Sequence, residues 1–283
     1  MKYVRTIEEF LDCFFNEHFC YNVNSLDFID EFRLGYTVWD DLRKYALEKV
    51  SSNPDFYAIL GEMYLFGKDV DKDINRAIKY FDQGIEEGSL YCIKSKANQL
   101  INGDYLERDY QEAFRLFEIA SNKGFHHAMN NLGWMYTKGI GCRLDEEKGG
   151  KLFKMAADLG STIACFNYGV FIINLNFDEG LKYITQSALG GYPKAQNYLG
   201  ELYFIPEYLH LDYEKAFYWF QEAAFNFNEY AMKSLGDMYR DGLYVKKDYK
   251  RAEYYYKLAV DYGYDYATVY IAQLYNEMDK ELK

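Results

Sequence analysis

The run DVDKD, Asp69–Asp73, places three carboxylates at alternate positions, as a calcium loop does at its start. Such a loop also needs Gly at its sixth position and a bidentate Glu at its twelfth. Ile74 and Tyr80 stand there instead, so Asp73 is better read as a helix cap. Cys13, His18 and Cys20 carry atoms that could ligate zinc. Their spacing spreads them around one helix with no fourth ligand nearby, which leaves buried thiols and a surface His. His126 and His127 fall in a turn between helices, and His210 in a loop. None of the four His adjoins a Ser or Cys nucleophile signature, so nucleophilic catalysis has no visible machinery. Walker loops and dinucleotide fingerprints are missing too. The expectation is no catalytic residue, no metal and no cofactor.

The glycines answer to a different order. AMNNLGWMY, from Ala128, returns as AMKSLGDMY from Ala231, and self-similarity extends over most of the chain. The period is 36, with units starting at Phe56, Cys92, Ala128, Ala164, Ala195, Ala231 and Ala267; the step from Ala164 to Ala195 is 31. Counting each unit from zero, position five is small (Gly61, Ala97, Gly133, Gly169, Gly200, Gly236, Ala272). Position eleven is mostly Gly (Gly67, Gly103, Gly139, Gly242), with Pro206 in the fifth unit. Position seventeen is Asp or Asn (Asp73, Asp109, Asp145, Asn176, Asp212, Asp248). Position twenty-five is bulky (Phe81, Phe117, Phe153, Ile184, Phe220, Tyr256), with small residues at twenty-one and twenty-eight, and position thirty-two is Gly except at Phe227.

Each column has a physical cause. Positions zero, four, five and eight share one helical face, so a first helix buries that stripe. Gly at eleven ends this helix in a left-handed turn. The residue at seventeen caps a second helix by accepting its unpaired backbone N–H groups. Small residues at five, twenty-one and twenty-eight let helices cross closely, and the aromatic at twenty-five is expected to fill the space between units. The unit is an antiparallel helix pair and the fold is all-α.

These columns resemble the Sel-one-like repeat family, relatives of the tetratricopeptide repeats. The pattern runs approximately A-x3-LG-x2-Y-x2-G, then D-x3-A-x3-[WYF]-x2-A-x3-G, and AMNNLGWMYTKG, AMKSLGDMYRDG and DYEKAFYWFQEAA follow it closely. The second unit lacks the LG, the fourth lacks the loop between its helices, and the fifth adds bulk there. The resemblance implies a right-handed α-solenoid of antiparallel helix pairs, a TPR-like superhelix. Residues 56–283 would supply six helix pairs and a C-terminal capping helix. Residues 1–55 fall outside the period and are expected to form an N-terminal helical cap: Thr6 and Glu9 make a capping box before a first helix near Ile7, and VWDDLRKYALEKV looks helical.

In such a solenoid the first helices line a concave groove, and positions two, six and nine face into it. The residues expected to bind a partner are therefore Glu62, Asn98, Asn130, Trp134, Phe166, Val170, Asn197, Glu201, Phe204 and Asp237. Trp134, Phe166, Val170 and Phe204 would form an apolar centre within an acidic rim, the alternative being that the rings belong to the core. The net charge of −12 disfavours nucleic acid and anionic membranes and suits a protein partner with a basic surface. No apolar run approaches the roughly 20 residues of a membrane span. Glu8, Glu9 and Asp12 interrupt any secretory signal, and five Cys without a common repeat position suit a reducing cytoplasm. The family resemblance points to a non-catalytic interaction protein, such as an immunity protein neutralising a toxin, with a general adaptor as the alternative. Members linked to β-lactam binding are cysteine-rich secreted chains, and their repeated Cys pair is not present in this sequence, so a hydrolase of that type is not expected.

Overall fold

A computed structural model of the 283-residue chain describes residues 36–281 together with Ile7, Leu11 and Phe15. Thr6, Glu9, Cys13, His18 and Cys20 lie outside the described residues. Every element among those described is a helix, and the chain divides into two compact units, Met1–Phe171 and Ile172–Lys283. The first contains α1 (Tyr36–Lys49), α2 (Phe56–Phe66), α3 (Ile74–Glu86), α4 (Leu90–Asn102), α5 (Tyr110–Asn122), α6 (His126–Lys138), α7 (Glu146–Asp158) and nearly all of α8 (Thr162–Ile172). The second contains α9 (Phe177–Leu189), α10 (Pro193–Phe204), α11 (Tyr213–Phe225), α12 (Glu229–Asp241), α13 (Tyr249–Asp261) and α14 (Ala267–Glu281). The division falls in the fourth repeat, the one shortened by five residues. Within each unit, helices adjacent in the chain pack together, α6 on α7 in the first and α12 on α13 in the second, as in an all-α solenoid.

The cap column behaves as its chemistry requires. Asp73 accepts from Arg76 N at 2.9 Å, Asp145 from Lys148 N at 2.9 Å, Asn176 from Glu179 N at 3.2 Å and Asp212 from Lys215 N at 3.0 Å. Asp109 accepts from both Gln111 N (3.1 Å) and Glu112 N (2.9 Å), as Asp248 does from Lys250 N and Arg251 N. Asp109→Ala is expected to cost about 1 kcal/mol, read as a lower urea midpoint. An unchanged midpoint would mean that solvent satisfies those two donors equally well.

Close helix crossing is visible at position five. A Cβ on Gly61 would lie 2.4 Å from Phe81 Cε1, on Gly200 2.7 Å from Phe220 Cδ1, and on Gly236 2.5 Å from Tyr256 Cε1. The bulky residue at twenty-five therefore sits on the glycine of its own helix pair, which corrects the expectation that it fills the gap between pairs. That gap is closed by position twenty-eight: a Cβ on Gly84 would lie 2.2 Å from Cys92 Sγ, the first residue of the next repeat. At thirty-two the backbone is left-handed whatever the residue. Phe227 has φ 64° there, and its ring stacks on Tyr262 at 5.4 Å.

The first and last helices described each bury one apolar side. Trp39, Leu42 and Ala46 of α1 are buried against Phe56, Leu60 and Phe81. Ile7, Leu11 and Phe15, four residues apart and all helical, pack on the same core, with Phe15 4.8 Å from the Tyr91 ring. In α14, Ala267 and Leu274 are buried while Gln273, Asn276, Asp279 and Lys280 stay exposed. No helix among the described residues is long and apolar enough to cross a membrane.

Candidate protein-binding faces

The candidate residues occupy α2, α4, α6 and α8 in the first compact unit and α10 and α12 in the second. In the first unit, helix spacing aims positions two and six away from the helix's own pair, and the neighbouring first helix then covers part of that face. Glu62 is only 3% exposed, because Ser95 Oγ of α4 donates to its Oε1 at 2.6 Å. Asn130 is 8% exposed for a similar reason. Its Oδ1 accepts from Asn167 Nδ2 of α8 at 2.8 Å. Asn131 extends this into a relay, with Asn130 Nδ2 approaching Asn131 Oδ1 (3.5 Å) and Asn131 Nδ2 approaching Asn98 Oδ1 (3.4 Å). Four amides thus link α4, α6 and α8. Trp134 of α6 and Val170 of α8 are 36% and 37% exposed, and Phe166 is half-buried.

The second unit presents a charged version of the same face. Asn197 is 8% exposed and its Nδ2 donates to Glu201 Oε1, one turn along α10, at 2.8 Å. Burial holds the Glu201 carboxyl above the usual carboxylate range, opposed by that hydrogen bond and by the charge of Lys233. On α12, Asp237 takes Lys233 Nζ at 2.6 Å, Arg240 at 3.5 Å and the Tyr256 hydroxyl at 2.7 Å. Phe204 is half-buried, its ring 5.4 Å from Tyr213 and 6.1 Å from Phe220. Of the two placements open to the aromatic residues, Trp134 takes the exposed one and Phe204 sits at the core's edge.

The raised Glu201 pKa has a defined sign. Folding favours its protonated form, so that contribution is complete below the unfolded-state value and disappears as pH rises through the folded-state value. Glu201→Gln is therefore expected to raise the denaturation midpoint at neutral pH, with the gain shrinking toward about pH 4. An equal gain at both pH values would show that the carboxyl charge is not the cause.

Other reactive side chains have structural settings. Burial pushes the Cys92 thiol up to about 12, and Cys165 is buried as well. His126 and His127 open α6 rather than lying in the preceding turn, with rings 4.1 Å apart. Asp69 pairs with Arg43 at 3.1 Å. Among the described residues no three His, Cys, Asp or Glu side chains gather as metal ligands would. Sequence spacing missed Asn131 and Asn167; both stand at position three, and their shared amide chemistry was the available signal.

The family model described as Sel1 repeat matches residues 54–89, 100–125, 126–161, 193–224 and 229–264. Protein sel-1 homolog 2 of Rattus norvegicus is 27% identical over 161 residues, which are 56% of this chain and 23% of that protein. The chain thus spans under a quarter of that relative's length. Among solved structures, a Sel1 repeat protein from Oxalobacter formigenes superposes with a TM-score of 0.69 at 24% identity, covering 83% of this chain and 70% of that one. Immunity protein Pa5087 from Pseudomonas aeruginosa superposes with a TM-score of 0.56 at 20% identity, covering 75% of this chain and 83% of that one. At these identities the likeness is one of fold.

Proposed function

The chain belongs to the Sel1 repeat family, a protein-interaction fold, and on that basis we propose that it binds a partner protein on the exposed face of its first helices. The observation that carries this reading is Trp134, a large ring left 36% exposed on α6, the helix that also carries the Asn130 and Asn131 amides. An apolar anchor among hydrogen-bonding groups is the usual anatomy of a binding centre. Phe166 and Asn98 complete the anchor region in the first unit. Asn197, Glu201 and Asp237 give the second unit its own, charged, binding face. Glu62 and Asn130 contribute by holding successive first helices in register.

The narrower reading is a cytoplasmic immunity protein that neutralises a toxin with a basic surface. The net charge of −12 supports it, as does the fold shared with a Pseudomonas aeruginosa immunity protein. A general adaptor is the competing role. Affinity capture from native cells followed by mass spectrometry separates them: one stoichiometric, basic partner fits the inhibitor, several partners fit the adaptor, and none would reject protein binding.

A further inference from the structure

The amide row of the first unit has two open ends. Asn167 Nδ2 donates to Asn130 Oδ1 at 2.8 Å, Asn130 Nδ2 lies 3.5 Å from Asn131 Oδ1, and Asn131 Nδ2 lies 3.4 Å from Asn98 Oδ1. Every contact runs in one sense, from α8 through α6 to α4, so the amide dipoles reinforce one another. A donor is left over on α4, Asn98 Nδ2, and an acceptor on α8, Asn167 Oδ1. Among the described residues no group bonds either atom, and neither is one of the buried atoms left unpaired, so both meet solvent. Asn98 and Asn167 are half-buried, whereas Asn130 between them is 8% exposed and serves the row alone.

A group that completes the row must accept at α4 and donate at α8. Helices in side-chain contact lie about 8–10 Å apart, so two steps put the open ends roughly 16–20 Å apart. No single side chain spans that distance. An extended segment advances about 3.3 Å per residue, so about five or six residues cover it, and the main chain offers a C=O and an N–H along the whole way. The charges agree with this occupant. Trp134 stands one turn from Asn130 on α6 and Val170 one turn from Asn167 on α8, and neither they nor the four amides can ionise. A charged side chain brought here would lose its hydration without meeting a counter-ion, whereas a peptide group is neutral. We propose that Asn98 and Asn167 form a receptor for the main chain of an extended, uncharged segment of the partner protein. Asn98 Nδ2 donates to a carbonyl of that segment and Asn167 Oδ1 accepts from one of its N–H groups, with an apolar side chain against Trp134. This deepens the protein-binding reading and rests on it.

The test uses the full chain carrying 15N-labelled asparagine side chains. It is titrated to millimolar concentration with the end-blocked peptide Gly-Ser-Leu-Ser-Leu-Ser-Gly. The side-chain amide resonances of Asn98 and Asn167 are expected to move saturably. The same peptide N-methylated at every Ser and Leu keeps its side chains but loses their main-chain donors, and it should leave both resonances in place. Asn98→Leu and Asn167→Leu, each checked for an intact melting transition, should each weaken the unmethylated peptide by about fivefold. Asn122→Leu, at the exposed end of the second helix α5, should leave its affinity unchanged. Equal shifts from the N-methylated peptide would overturn the receptor, because side chains and not the main chain would then be read. Resonances unmoved by the unmethylated peptide would overturn it as well, as would equal weakening by all three substitutions. Should the captured native partner bind Asn98→Leu and Asn167→Leu as tightly as the unaltered chain, only this inference falls; should no partner be captured by the unaltered chain, the protein-binding reading falls with it.

Discussion

Phe81→Ala is expected to lower the unfolding free energy by about 3–5 kcal/mol, measured by urea denaturation followed by circular dichroism. The ring is fully buried and rests directly on Gly61, where no Cβ intervenes. Its removal leaves a void walled by Leu60, Met63 and Ala77, and helix backbones cannot collapse far enough to close it. The complementary substitution has the same cause. Gly61→Ala places a methyl group 2.4 Å from the ring, an overlap expected to cost about 1–3 kcal/mol. Because the two residues share one contact, Gly61→Ala combined with Phe81→Leu should cost less than the sum of the singles. A loss below about 1 kcal/mol for Phe81→Ala would show that position twenty-five does not hold the helix pair together.

Trp134→Ala is expected to weaken partner binding by about tenfold or more while changing stability by no more than about 0.5 kcal/mol. The indole is 36% exposed, and the Thr137 hydroxyl that reaches this residue donates to its backbone carbonyl at 2.9 Å, which alanine retains. Phe204→Ala should behave in the opposite way, losing stability through its contacts with Phe220 and Tyr213. A marked fall in the melting temperature for Trp134→Ala would assign the ring to the core. Unchanged binding would remove it from the interface.

The fold was legible wherever one residue type answers one local demand. Asp at seventeen reads as a cap because only a side-chain acceptor serves the free N–H groups, and the hydrogen bonds at Asp73, Asp109 and Asp248 follow from that. Phe227 shows the converse, since its left-handed backbone is imposed by the loop geometry and not by the residue. The candidate faces were half legible. Spacing along a single helix gives the direction of Glu62 or Asn130 but not what the next first helix brings against it. Ser95 and Asn167 did that, turning two expected surface residues into links between repeats. The pairing of position twenty-five with position five was likewise hidden, because a column in the sequence does not say which of two neighbouring helices it meets.

Recognition by the first helices is tested most directly by photo-crosslinking. Benzoyl-phenylalanine is placed at Trp134 on α6 or at Met155, an exposed residue of the second helix α7, and the chain is mixed with its captured partner. Binding on the first-helix face predicts a crosslinked product from position 134 and none from 155. Crosslinking from 155 alone would contradict it and move the interface to the second helices.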